Sequence, residues 1–309
     1  MRVIEVSMEQ CRNERAEKTG DPEKTRRSAA SSGTTCDIVH HTTNMCSSLS
    51  KALHHGAQTV ARQELRGISD QGRRSHTAAN MAVVVPTVQF HNGYKMPLLG
   101  LGTFLASSEV VGAALDTALR AGYRHIDTAT IYENEAAIGE VLQKWLKSGR
   151  VRREDLFIVT KLPGSGNRAE SVEKYLKKSL EALQLNYVDL YLVHSAMGSL
   201  EQVGAARGPR VPDVTTDHIS IWKAMEAQVD AGRARSIGLS NFNSRQIKRI
   251  VKEARIRPAN LQIELNVYFQ QRELAAFCNA LDITVCAYAP LGSPAFADHL
   301  KQRNGEDAE

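Results

Sequence analysis

The sequence predicts an α/β fold whose parallel sheet closes as a (β/α)8 barrel of the TIM class, and three observations carry that prediction. From residue 98 onward, short apolar runs of strand length alternate with stretches of helical periodicity, and repeated βα order implies a parallel sheet with helices as crossovers. Asp127, Lys161 and His194 stand at the ends of successive predicted strands, with Tyr132 just past one of them. A barrel brings all its strand ends to one mouth, whereas a doubly wound sheet concentrates its ligand at a single switch point. Finally, no Gly-x-Gly-x-x-Gly opens a helix: Gly100-Leu101-Gly102 lacks the third glycine and the short turn that a dinucleotide fingerprint needs.

The elements follow in order. Val88-Gln89-Phe90 and Lys95-Met96 flank His91-Asn92-Gly93-Tyr94, and Asn-Gly between apolar residues favours a tight hairpin because both turn positions accept positive φ. A strand over 98–103 leads to a helix over 107–121 with Val110, Val111, Ala114, Leu115, Ala118 and Leu119 on one face, and Gly122 ends it where a left-handed residue is cheap. The alternation continues with strands over 124–128, 156–161, 188–194, 235–239, 260–265 and 283–288. Helices are predicted over 135–147, 170–183, 219–231, 244–255 and 271–280, and the loop over 196–217 reads as irregular from its glycines, prolines and charges.

Composition bounds what such a chain can be. With 309 residues, 42% hydrophobic and 24% charged, it is ordinary globular material. The net charge of +5 forms no basic stripe, so no nucleic-acid partner is expected. No apolar run approaches the roughly 20 residues that cross a bilayer, and no signal-peptide core opens the chain. The five cysteines lack a Cys-x-x-Cys pair, which together with their odd number favours a reduced, cytoplasmic setting. Residues 1–80, rich in Ser, Thr, Arg, Gln and His without periodicity, read as a disordered extension ahead of a barrel domain over 81–296 and a charged tail over 297–309. Cys36, His40, His41 and Cys46 fit no common zinc spacing, so no metal is expected.

The chemistry at the predicted mouth is that of proton donation to a carbonyl: a phenol, an ammonium, a carboxylate and an imidazole. A free tyrosine, with a pKa of about 10, is a poor acid at neutral pH. A neighbouring lysine would favour the phenolate, and an aspartate would hold that lysine in place. Taken singly, each residue has a structural alternative: Asp127 as a turn cap, Tyr132 and Lys161 on a solvated rim, His194 as a hydrogen-bonded strand histidine.

At these residues the chain resembles the aldo-keto reductase family. Gly122-Tyr123-Arg124-His125-Ile126-Asp127-Thr128-Ala129, with Tyr132, Glu135 and Gly139, is similar to its first signature, and Ile237-Gly238-Leu239-Ser240-Asn241-Phe242 to its second. Thr160-Lys161-Leu162 and Leu192-Val193-His194 match its other catalytic strand ends, and the likeness runs from about Val85 to Pro294. The resemblance implies an NADPH-dependent reduction of aldehydes or ketones with Tyr132 as general acid and His194 orienting the carbonyl. It implies that Ser240, Asn241 and Gln262 hold the nicotinamide carboxamide and that Tyr288 stacks on the ring. Gly102, Thr103, Pro290, Leu291 and Ser293 are implied as further cofactor contacts, the last three in a loop over the pyrophosphate. Phe104, where the family often carries tryptophan, walls the substrate pocket with Tyr132 and His194. The partner is then a small carbonyl compound, and the oligomeric state is left open.

After Pro294 the sequence departs from the family pattern, with no eighth strand and no basic phosphate-reading segment in the charged run to Glu309. The expectation is therefore an incomplete barrel whose first and seventh strands carry unpaired edges. A noncatalytic interaction protein that keeps the barrel remnant is the alternative reading.

Overall fold

The computed structural model describes residues 2–7, 86–200 and 211–293. The chain enters as strand β1 (Arg2–Ser7), then forms the antiparallel hairpin β2 (Thr87–Gln89) and β3 (Lys95–Pro97) around the Asn92-Gly93 turn, where Gly93 adopts a φ of 91°. Strand β4 (Leu99–Gly102) opens the βα series and is followed by helix α1 (Ser108–Arg120), whose N-cap Ser107 accepts from the Val110 N–H at 3.4 Å. Val111, Leu115, Ala118 and Leu119 form its buried face, while Val110, predicted to join them, is 40% exposed. Gly122 follows that helix with a φ of 96°, the left-handed position expected at a helix C-terminus.

The series continues through β5 (His125–Asp127), α2 (Glu135–Lys147), β6 (Phe157–Leu162), α3 (Ala169–Leu183) and β7 (Val188–Val193). Within the loop read as irregular, Gly198–Ser199 (β8) and Pro212–Asp213 (β9) pair as a small antiparallel sheet. Then come α4 (His218–Asp230), β10 (Ala234–Ser240), α5 (Ser244–Glu253), β11 (Asn260–Glu264), α6 (Arg272–Ala280) and β12 (Thr284–Tyr288). Every residue of β6 and β7 is buried, as parallel strands covered on both faces require. Among the described residues, no helix is long and apolar enough to cross a membrane.

The parallel strands close in the order β1-β12-β11-β10-β7-β6-β5-β4. Seven of them, β4 to β7 and β10 to β12, are the predicted βα strands. The eighth place is taken from the opposite end of the chain: β1 pairs in parallel with β12, from Arg2↔Val285 to Ile4↔Ala287, and with β4, from Ile4↔Leu99 to Ser7↔Gly102. β1 thus lies along the β4 and β12 edges that the sequence left without a partner. The six residues Arg2-Val3-Ile4-Glu5-Val6-Ser7 hold three β-branched side chains, strand-favouring by propensity. Read alone they are too brief to outweigh the polar stretch behind them; two open edges supply the partners that decide the conformation. Residues 8–85 and 294–309, including the zinc-like cluster and the charged tail, lie outside the described residues.

Two apolar layers follow. One lies between the sheet and its helices and takes in Ile126, Leu142, Ile158, Leu176, Tyr191 and Trp222. The other fills the barrel interior, where Phe90 and Met96 of the hairpin meet Phe157, Val159, Leu190 and Leu192. Phe157 begins β6, so the hairpin plugs the N-terminal end of the barrel and leaves the C-terminal end for the polar side chains.

Candidate active site

The period of two along each strand decides what enters the barrel mouth. On β6, Phe157 and Val159 point inward, and Lys161 does so one step further along. Asp127 closes β5, His194 follows directly after β7, and Tyr132 ends a 3-10 turn, Thr130–Tyr132, that leaves β5. The structure brings all four together. The Lys161 ammonium is 1% exposed and donates to the Asp127 carboxylate, to the Thr128 carbonyl at 2.9 Å and to the Tyr132 hydroxyl at 3.3 Å. The rings of Tyr132 and His194 meet edge to face with centroids 5.7 Å apart, and Phe104 lies 5.1 Å from Tyr132 on another side. Phe104 is 39% exposed and so is not part of the core.

The remaining predicted residues ring the same mouth. Gln262 donates its amide to the second Asp127 oxygen at 2.6 Å, so the carboxylate is gripped from β6 and β11 together. Thr103, after β4, donates from both its N–H (3.1 Å) and its hydroxyl (3.0 Å) to the Asp127 carbonyl, which places Gly102 and Thr103 against the same residue. Asn241 takes a left-handed φ of 63° and donates to the His194 carbonyl (3.0 Å) and the Ser240 hydroxyl (3.1 Å), while accepting from Tyr288 at 2.9 Å. The helix behind it is capped by Asn243, in a reciprocal pair with Gln246. Pro290, Leu291 and Ser293 lie in the turn after β12, closed by the Gly292 N–H on the Ala289 carbonyl at 3.0 Å.

Sequence reasoning missed the residues that hold this set in place. Asn134 is 1% exposed and donates to the carbonyls of Thr103 (2.8 Å) and Ala106 (3.1 Å), tying the Phe104 loop to the turn that carries Tyr132. Glu135 is 5% exposed and faces Thr160 (2.6 Å) and Ser179 (2.9 Å). Its carboxyl is pushed above the usual carboxylate range, chiefly by burial. The available signal was polar residues at positions that helix or strand periodicity assigns to the interior: Glu135 beside Ile138, and Thr160 between Val159 and Lys161. His125, two residues before Asp127, is held neutral by burial, with Nδ1 3.1 Å from the Pro97 carbonyl.

Comparison with known proteins agrees with this geometry. The sequence profile described as "Aldo/keto reductase family" matches residues 98–308. Aldo-keto reductase family 1 member A1 of Gallus gallus is 45% identical over 213 residues, which are 67% of this chain and 64% of that protein. The Homo sapiens protein of the same name is 46% identical over 212 residues, 67% of this chain and 65% of its own. The chain thus spans just under two thirds of the length of these relatives. Among solved structures, the aldose reductase of Schistosoma japonicum superposes with a TM-score of 0.64 at 41% identity, covering 72% of this chain and 75% of its own. A Bombyx mori aldo-keto reductase in complex with NADP superposes at 0.63 with 38% identity, covering 67% of each chain. A barrel closed by parallel strands, a lysine held between aspartate and tyrosine at its mouth, and a profile match over most of the described residues lead to one conclusion: the chain belongs to the aldo/keto reductase family.

Proposed function

We propose that this chain reduces aldehyde or ketone carbonyls to alcohols with NADPH, using Tyr132 as the general acid. The observation that carries the reading is the placement of the Lys161 ammonium between the Asp127 carboxylate and the Tyr132 hydroxyl, 3.3 Å from the latter. When the phenol gives its proton to a developing alkoxide, an ammonium at that distance stabilises the charge left on the phenolic oxygen. Burial strengthens the effect by lowering the local dielectric. Asp127, gripped by Gln262 and Lys161, keeps the ammonium from swinging away. His194, edge-on to the Tyr132 ring, borders the same space and orients the carbonyl oxygen. Phe104 supplies an apolar wall for the substrate's carbon body.

The residues for the nicotinamide end of the cofactor fit by chemistry. Ser240 ends β10 with a hydroxyl, Gln262 brings an amide from within β11, Asn241 lies beside them, and Tyr288 offers a flat aromatic face. Gln262 already spends its NH2 on Asp127, so its carbonyl oxygen is the atom offered to a carboxamide N–H. Gly102, Thr103, Pro290, Leu291 and Ser293 are the further proposed contacts. Bound NADPH supplies the hydride that no side chain can provide.

The test is NADPH quenching of intrinsic fluorescence together with NADPH oxidation across a panel of aldehydes and ketones. Quenching with turnover supports the reductase. A folded preparation that neither binds nor oxidises the cofactor would instead favour a noncatalytic binding role for the barrel.

A further inference from the structure

Behind Tyr132, away from the substrate side, lies a polar cluster with no assigned role, buried at Glu135, Thr160 and Ser179 and half-buried at Thr130. Its contacts run in series. Thr160 Oγ1 is 2.6 Å from one Glu135 oxygen, and Ser179 Oγ is 2.9 Å from the other. Ser179 Oγ is 3.0 Å from Thr130 Oγ1, which lies 3.3 Å from the Lys161 carbonyl oxygen. Four oxygen–oxygen contacts each need a proton, while the three hydroxyls supply only three. The 3.4 Å approach of Thr160 to Ser179 adds a contact and no proton.

We propose that Glu135 is a neutral carboxylic acid at neutral pH and acts as a positioning residue, its proton completing a chain of hydrogen bonds that locks the Tyr132 turn onto the Lys161 strand. With that fourth proton each of the four shorter contacts is filled in one direction, and only the 3.4 Å approach of Thr160 to Ser179 goes without one. Glu135 donates to Ser179, Ser179 to Thr130, and Thr130 to the Lys161 carbonyl, while Thr160 donates to the other Glu135 oxygen. An ionised Glu135 would draw the protons of both Thr160 and Ser179 to itself. Thr130 would then have one proton for two acceptors, and either the Ser179 contact or the Lys161 carbonyl would go unfilled. The cluster links α2, α3 and β6 to the 3-10 turn, so it sets how Tyr132 approaches Lys161.

Burial raises the Glu135 carboxyl above its ordinary range against the hydrogen bonds from Thr160 and Ser179, which favour the ionised form, and against the charges of Lys161 of β6 and Lys178 of α3. Lys161 is engaged by Asp127, which weakens its pull on Glu135. Tyr191 of β7, fully buried nearby, is itself pushed well above its ordinary range and stays neutral.

The positioning of Tyr132 for proton transfer rests on the reductase reading; the protonation of Glu135 does not, so its readouts need no turnover. The infrared spectrum at neutral pH, where ordinary Glu and Asp are ionised, should show a protonated-carboxyl carbonyl band that disappears in Glu135→Gln. Gln supplies an N–H to Ser179 and a carbonyl to Thr160, so it preserves the chain and should melt within about 2 °C of the wild type, whereas Glu135→Ala should fall by more than about 4 °C.

Folded-state protonation also sets a pH sign. Glu135 holds its proton in the native state above the ordinary 4.5, so the unfolded chain releases it first and stability falls as pH rises from there through the folded value. Glu135→Gln should flatten that slope. If the preparation turns over NADPH, Glu135→Gln should keep the wild-type pH profile and Glu135→Ala should shift it. An unchanged infrared difference, or a Gln variant as unstable as the Ala variant, overturns the proposal while leaving the reductase reading intact.

Discussion

Lys161 and Tyr132 are joined at 3.3 Å across two separate elements, a strand and the turn that leaves its neighbour. The phenol is the only part of the pair that can hand over a proton while the ammonium keeps its charge. Tyr132→Phe keeps the ring that packs on Phe104 and His194 and removes that proton. Turnover of aldehydes should drop by about 100-fold or more, while NADPH quenching persists. Lys161→Met should lower turnover and alter its pH dependence, because the charge behind the phenol is gone. Wild-type rates in Tyr132→Phe would remove this residue from the acid's role.

Gly139 of α2 lies against the carbonyl end of α3. A Cβ there would collide with the Ala182 oxygen and reach within 2.8 to 2.9 Å of Leu183 backbone atoms. Backbone atoms at a helix terminus cannot rotate away as a flexible side chain would. Gly139→Ala should therefore destabilise by about 1–3 kcal/mol, as small-to-large changes in tight packing do, despite alanine's better helix propensity. A denaturant midpoint equal to or above that of the wild type would show that the helices separate without strain.

Asp189, 3% exposed, binds two guanidiniums at the opposite end of the barrel: Arg153 at 2.7 Å and Arg235 at 3.1 Å. Both also lie over the Tyr187 ring, at 3.9 and 4.1 Å, and Asp189 accepts the Ile158 N–H at 2.9 Å. Removing the carboxylate strands a buried N–H and two cations facing each other. Asp189→Ala should cost about 3 kcal/mol or more, in the range for breaking a buried pair from one side. Cofactor affinity of whatever remains folded should not change, since the cluster is remote from the mouth. A loss below about 1 kcal/mol would show that solvent reaches both arginines.

Much of this was legible because it is periodic. The predicted helix over 135–147 is found with those bounds, and the strand ends that carry Asp127, Lys161 and His194 fall where apolar runs stop. What periodicity cannot supply is long-range pairing. Nothing near Glu135 in the chain announces Ser179, which reaches it from the buried face of α3. Nor does Gln262 announce that its amide is committed to Asp127, 135 residues away. The eighth place in the sheet was illegible for the same reason, since a six-residue strand has no signal of its own until its two partners exist.

That strand gives the last prediction. β1 gives the β12 and β4 edges their hydrogen-bond partner, so deleting residues 1–7 leaves two rows of backbone groups facing water or another chain. Amide exchange in Leu99–Gly102 and Val285–Ala287 should accelerate by at least about tenfold, while strands away from the seam, such as β6, keep their protection. Because pairing depends on backbone register more than on a covalent link, the free peptide Arg-Val-Ile-Glu-Val-Ser should restore protection at those residues in a concentration-dependent way. A scrambled peptide with its apolar residues out of alternation should not. Unchanged exchange at the seam after deletion would mean that the two edges are satisfied without β1.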